Sequence, residues 1–274
     1  MERFQNILFP VDFSERCLCV APAVAAFARR FHSRVTLLHV LNLPPGGYQD
    51  WYAYMNLVDT RSVQAEIERN LHRFLVEQFA GIETRRVMAD GEPGDTITTH
   101  AREQGMDLIM MPTRGHGRFR TLLLGSVTAK VLHDSHAPVW TAAHTEESAV
   151  PAEVRSIVCA VDLSPATVAV VRMAFGLAEE FGARCHAVFA DADGTHASAQ
   201  RAEEQFSTYA KTAGVEAGLE AVPGEIADVV RSSAESHGAD LLVIGRGELQ
   251  GTLGRLRSHE YDLVRTSPCP VLSV

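Results

Sequence analysis

The sequence predicts an α/β chain made of two tandem doubly wound five-stranded parallel-sheet domains, and three observations predict it. Short apolar runs alternate with helix-periodic segments, the pattern of β-α units in a parallel sheet. The stretch from Asp107 to Val139 passes from an apolar strand through a loop rich in glycine and arginine into a capped helix, which is how such folds build anion sites. The first half of the chain is also echoed in the second: Asn6-ILFPVDFS by Ser156-IVCAVDLS, Pro93-Gly94 by Pro223-Gly224, Asp107-LIMMP by Asp240-LLVIG, and Ala137-PV by Cys269-PV. A repeat of this size signals a duplicated domain.

Taken in order, Asn6 to Val11 reads as the first strand and Glu15 to Phe31 as a helix capped by Ser14. Arg34 to Leu41 is the second strand. Residues 42–60 form a long loop with a PPGG turn and the aromatic set Tyr48, Trp51, Tyr52 and Tyr54, which suits either a lid or partner surface or packing onto its own domain. Arg61 to Phe79 reads as a helix, Glu83 to Ala89 as a strand, and residues 91–95 as a turn into a helix over Thr96 to Gln104. Leu108 to Met111, between Asp107 and Pro112, has the composition of a central strand buried on both faces. A helix over 127–134 and a strand over Ala137 to Ala143 complete the unit. The polar stretch Thr145 to Arg155 separates the copies, giving domains over 1–145 and 154–274. Each should be Rossmann-like, with the flavodoxin-like strand order 3-2-1-4-5.

With 274 residues, 46% hydrophobic and 22% charged, the chain has room for two cores of ordinary size. A formal net charge of −9 argues against nucleic acid or an anionic membrane as partner. The N-terminus begins with a strand, without the basic and apolar regions of a leader, and no apolar run reaches membrane-spanning length, so the expectation is a cytoplasmic protein. Cys17, Cys19, Cys159, Cys185 and Cys269 are odd in number and scattered, which suits reduced packing residues.

The loop after Met111 carries the chemistry. Gly115 and Gly117 allow close backbone approach, Arg114, Arg118 and Arg120 bring positive charge, and Gly125-Ser126 opens a helix whose unpaired N–H groups face the loop, with Ser126 or Thr128 adding hydroxyls. This segment resembles the nucleotide-binding signature of the universal stress protein (UspA-like) family, G-x2-G-x9-G-[ST], with Gly115, Gly125 and Ser126 in place and Pro112 where the family has its first glycine. With the repeat, the resemblance to tandem universal stress proteins covers essentially the whole chain. It implies ATP, with Mg²⁺ at Asp12, as cofactor. It also implies a pocket lined by Pro10, Val11, Val40, Met111, Pro112, Arg114, Val127 and Thr128, with Val40 against adenine. From the residues alone Asp12 is equally a helix cap, and Pro10, Val11 and Val40 are equally core.

In the second copy Arg257 stands where Gly125 stands in the first, with Ser258 matching Ser126. A long side chain there argues for loss of ordinary ATP binding, although Arg246, Arg255 and Arg257 would still offer charge to phosphate. The G-x-S-x-G, G-x-x-x-x-G-K-[ST] and H-E-x-x-H motifs are absent, and His133 and His136 lack companions at metal-ligand spacing. The leading expectation is a regulatory, stress-response protein that binds adenine nucleotide in its first domain and meets a protein partner not identifiable from the sequence. Two alternatives stay open: a slow ATPase, for which Asp12 is the one base at hand, and a scaffold or apolar-ligand binder with vestigial loops. The final strands, apolar and otherwise exposed edges, are expected to join the domains as an intramolecular pseudo-dimer, with a homodimer as a further option.

Overall fold

The computed structural model describes residues 4–42, 60–113, 124–142, 153–246 and 255–274, with backbone alone at 60, 61 and 255–259. The aromatic loop and the polar linker between the copies lie outside the described residues. The first copy contains β1 (Asn6–Pro10), α1 (Glu15–Phe31), β2 (Arg34–Leu41), α2 (Thr60–Arg73), β3 (Thr84–Asp90), α3 (Pro93–Glu103), β4 (Leu108–Met111), α4 (Ser126–Asp134) and β5 (Val139–Thr141). The second contains β6 (Ser156–Ala160), α5 (Thr167–Phe181), β7 (Arg184–Asp191), α6 (His196–Ala213), β8 (Leu219–Pro223), α7 (Ile226–Ser236), β9 (Leu241–Ile244), α8 (Arg255–Thr266) and β10 (Val271–Ser273).

All ten strands lie in one sheet, ordered β3-β2-β1-β4-β5-β10-β9-β6-β7-β8, so each copy has the expected 3-2-1-4-5 arrangement. Within a copy the pairing is parallel. At the junction β5 and β10 run antiparallel, Trp140 opposite Leu272, and each covers what would be the other's open edge. Successive residues of the central strands point to opposite faces: Ile7 and Phe9 enter one core, Leu8 and Ile109 the other. The first core runs through both copies, where Phe27 and Phe31 of α1 meet Phe181 of α5 at ring-centroid distances of 5.2 and 5.8 Å.

Three local expectations shift. The second helix stops at Arg73, short of Phe79, because Leu75 takes a left-handed φ of 57° and the Arg86 guanidinium donates to the carbonyls of Leu71 and Phe74 at 3.0 and 3.1 Å. The helix expected from Thr96 starts at Pro93, whose missing N–H costs nothing at the first helical position, while the Glu92 side chain accepts the Asp95 N–H at 2.8 Å. The repeat also aligns differently at this turn. Leu41 pairs with Asp90 and Asp191 with Pro223, so Gly91-Glu92 matches Gly224-Glu225, and Pro93-Gly94 is not the counterpart of Pro223-Gly224. Both of these glycines are left-handed, at φ 145° and 142°, and both glutamates occupy a helix N-cap position, Glu92 bonding the helix through its side chain and Glu225 not.

A further device is repeated at the opposite end of the strands. The Asp107 carboxylate accepts the N–H groups of Gln5 and Asn6, and Asp240 accepts those of Arg155 and Ser156, tying the start of each central strand to its neighbour.

Candidate functional site

The winding direction reverses between β1 and β4, and those of the expected site residues that are described lie around that point. Pro10 ends β1 opposite Leu38, Val11 continues it with its N–H on the Leu38 carbonyl at 2.9 Å, and Val40 lies on β2 opposite Ala89. Met111 ends β4, its carbonyl accepting the Ala142 N–H at 3.2 Å.

Asp12 follows immediately. Its Oδ1 accepts the Ser14 N–H at 3.0 Å and lies 3.2 Å from the Cys17 Sγ. The helix cap itself is Ser14, whose hydroxyl accepts the Cys17 N–H. Asp12 therefore fixes the turn and is not the cap. The turn is made by Phe13 at φ 62°, a left-handed conformation that costs a bulky residue roughly 1–3 kcal/mol. Leu163 repeats it at 57° beside Asp162, whose Oδ1 accepts the Ser164 N–H at 3.0 Å. The Phe13 ring packs on His39 at 4.4 Å, and His39 Nδ1 meets the Val11 carbonyl at 2.8 Å, which requires the tautomer protonated at Nδ1. Neither Phe13 nor His39 is signalled in the sequence: an aromatic after a strand and a histidine inside one both read as core.

The loop leaving β4 closes on itself. The Gly125 N–H donates to the Thr113 carbonyl at 2.9 Å and the buried Thr128 hydroxyl donates to the Pro112 carbonyl at 3.1 Å, so both ends are held together. The Thr128 hydroxyl, expected as a donor to ligand, thus has its proton on a backbone carbonyl here. Gly125 is the N-cap, at φ −63° and ψ 143°, a conformation open to any residue, so the turn itself does not require glycine there. The first intrahelical bond runs from the Ala129 N–H to the Gly125 carbonyl at 2.8 Å, which leaves the N–H groups of Ser126, Val127 and Thr128 at the positive end of the α4 dipole. Ser126 is exposed and Val127 half-buried. Arg114 and Gly115, with Gly117, Arg118 and Arg120, lie outside the described residues.

The second copy differs. Ser267 bonds the Cys269 carbonyl as Ser135 bonds that of Ala137, which fixes the alignment of α8 with α4. Arg257, the counterpart of the cap Gly125, then falls inside α8, and the helix begins at Arg255. Its unpaired N–H groups are displaced by about a turn relative to those of α4. Arg246, expected as a charge for phosphate, is spent elsewhere: its guanidinium donates to the carbonyls of Ser135 and Ala137 in the first copy and to that of Ser273 at 3.2 Å. A basic loop position is thus a structural clasp between the copies.

All five cysteines are free, and burial pushes the thiols of Cys17 and Cys185 up to about 12 and that of Cys269 to about 11, so they are packing residues. Among the described residues no group of three or more His, Cys, Asp or Glu is placed to hold a metal, and no helix is long and apolar enough to cross a membrane.

Comparison with known proteins gives the same picture twice over. The sequence model of the universal stress protein family matches residues 3–142 and again 153–274. A universal stress protein of Methanocaldococcus jannaschii is 29% identical over 50% of this chain and 93% of its own length, and one of Synechocystis is 33% identical over 50% of this chain and 83% of its own. The crystal structure of a universal stress protein from Archaeoglobus fulgidus superposes with a TM-score of 0.72 at 24% identity, covering 98% of this chain and 96% of that one, so the two share a fold from end to end.

Proposed function

We propose, since this chain belongs to the universal stress protein family, that its first domain, residues 1–145, binds ATP with Mg²⁺ and that occupancy regulates how the protein meets a partner under stress. The observation that carries this reading is the set of three N–H groups at Ser126, Val127 and Thr128, beside the closed base of the loop and across the switch point from Asp12. Phosphate oxygens suit those donors. Pro10, Val11, Val40 and Met111 suit a base and sugar, and Pro112, Arg114, Gly115 and Gly125 would shape the loop around the phosphates.

The residues present fit the metal as well. Mg²⁺ is commonly held by one or two carboxylates, with phosphate oxygens and water completing its shell, and Asp12 offers one carboxylate. When bound, the ion would neutralise phosphate charge. Asp12 already accepts the Ser14 N–H, which suits a fixed ligand better than a group that must shuttle protons, so we assign binding and not turnover. In the second domain, residues 154–274, the displaced helix start and the engaged Arg246 support absence of ATP. The five free cysteines suit a cytoplasmic setting.

The test is the nucleotide content of the purified full chain, by acid release and chromatography, followed by titration calorimetry with MgATP. One equivalent of adenine nucleotide, lost in Gly125→Arg, is the expected result. Two equal sites, or undiminished binding by Gly125→Arg, would overturn the assignment.

A further inference from the structure

At the carboxyl ends of β6, β7 and β9 lies a cavity of about 210 Å³, lined by Ala160, Val161, Asp162, Ala190, Ile244 and Glu260 among others. The strand registers match it to the surroundings of Pro10, Val11, Asp12 and Val40 in the first copy. Its charge is of the opposite kind. Glu260 stands on α8 where α4 carries Thr128, so a carboxyl group replaces a hydroxyl beside the place where the first copy presents its N–H groups. Among the described residues the charged side chains lining the cavity, Asp162 and Glu260, are both acids; Arg246 lies near enough to attract Glu260, but its guanidinium hydrogen bonds go to the carbonyls of Ser135, Ala137 and Ser273.

The two acids are not equally engaged. Asp162 Oδ1 accepts the Ser164 N–H and lies 3.5 Å from the Thr167 hydroxyl. Glu260 Oε1 is buried without a partner at hydrogen-bond geometry, a costly state for a carboxylate oxygen that the nearby Ser273 hydroxyl relieves in part. The remaining wall, with Val170, Val188 and Leu263, is apolar. A phosphate chain entering this space would meet carboxylates, whereas a cationic donor would satisfy Glu260 and sit in the negative field of Asp162.

We propose that this cavity binds a small apolar molecule carrying a protonated amine, with the ammonium group donating to Glu260 and the hydrocarbon part filling the pocket between β7, β9 and α7. The volume corresponds to roughly seven waters, which sets the ligand near the size of an arylalkylamine. The two copies are then receptors for ligands of opposite charge. The inference does not depend on the nucleotide reading of the first domain, because every residue it uses lies in the second.

The test uses the full chain with ¹³C-labelled Val, Leu and Ile methyl groups, and phenethylamine and phenylacetate as probes of similar size and opposite charge. Phenethylamine is expected to shift methyl signals of Val170, Val188, Ile244 and Leu263 saturably, with a Kd at least about tenfold below that of phenylacetate. Glu260→Gln should erase that preference. Ala190→Leu should weaken both probes about tenfold by filling the cavity, at a position where the first copy already carries the larger Val40, and it keeps the test informative if Glu260→Gln perturbs folding. Equal or tighter binding of phenylacetate, no methyl shift with either probe, selectivity surviving Glu260→Gln, or affinity unchanged by Ala190→Leu would each overturn the proposal. Displacement of the same methyl signals by MgATP would also overturn it, since a cavity that accepts triphosphate is not an ammonium site.

Discussion

The Tyr261 hydroxyl donates to the Ala129 carbonyl at 3.1 Å, joining two positions 132 residues apart that are each other's counterparts in the duplicated fold. One copy thus carries a tyrosine where the other carries an alanine, and the larger side chain reaches across to its own equivalent. The bond ties α8 to α4, the helix whose first turn presents the candidate phosphate donors. Tyr261→Phe keeps the ring and removes the bond. It should cost about 0.5–1.5 kcal/mol in urea unfolding with the fold intact.

Arg246 should matter more. Its guanidinium serves three carbonyls, from Ser135, Ala137 and Ser273, so Arg246→Met leaves several acceptors near the junction without a donor. The expected loss is about 2–3 kcal/mol, measured by denaturant titration, and it should be independent of added nucleotide. Stabilisation of the parent by phosphate that disappears in the variant would instead mean that Arg246 serves an anion.

Gly125 and Arg257 separate conformation from access. At φ −63° and ψ 143° the backbone of residue 125 accepts any side chain, so Gly125→Ala should leave the melting temperature within about 2 °C of the parent while ATP affinity falls at least about tenfold. Arg257→Gly should not create a second ATP site. The residue lies within α8, whose start would remain a turn early, and Glu260 would still face the pocket. Calorimetry returning two equivalents for Arg257→Gly would show that this side chain alone closes the second site.

Glu260 gives a pH signature. Burial raises its pKa above the ordinary value of 4.5, opposed by the positive charge of Arg246, by the Ser273 hydroxyl and, more weakly, by His133. An acid whose pKa rises on folding binds more protons folded than unfolded, so its contribution is full below the unfolded value and is lost as pH climbs through the folded one. Unfolding of the parent and of Glu260→Gln, compared from pH 4 to pH 8, should therefore show the variant gaining relative stability as pH rises above about 4.5. A constant difference across that range would mean that Glu260 titrates normally.

How much of this was legible in the sequence follows from what each residue responds to. Leu108–Met111, the Ser14 cap and the Gly125-Ser126 helix start obey local rules of burial and capping, and each appears where the pattern put it. The start of α3 was misplaced because Pro93 and Glu92 read as turn residues, although proline is equally at home in a first helical turn. Arg246 was misread for a different reason. In a glycine-rich loop a cation points to an anion, and two of the three carbonyls it serves belong to residues more than 100 positions away. The left-handed Phe13 and Leu163 give no signal at all, since the strain is imposed by the strand and helix on either side. The acidic character of the second cavity required the rotational phase of α8, which the sequence of its loop does not fix.

The antiparallel join of β5 to β10 has one more implication. Reversing the strands turns the two halves back to back, so the mouth beyond β1 and β4 opens at one rim of the shared sheet and the mouth beyond β6 and β9 at the opposite rim. Occupants of the two cannot touch, compete for a common lid, or pass anything directly between them. Whatever one tells the other has to travel lengthwise through solid protein, and the Tyr261 bond between α8 and α4, with the Arg246 clasp just beyond the end of α4, offers one described route for it beside the shared core.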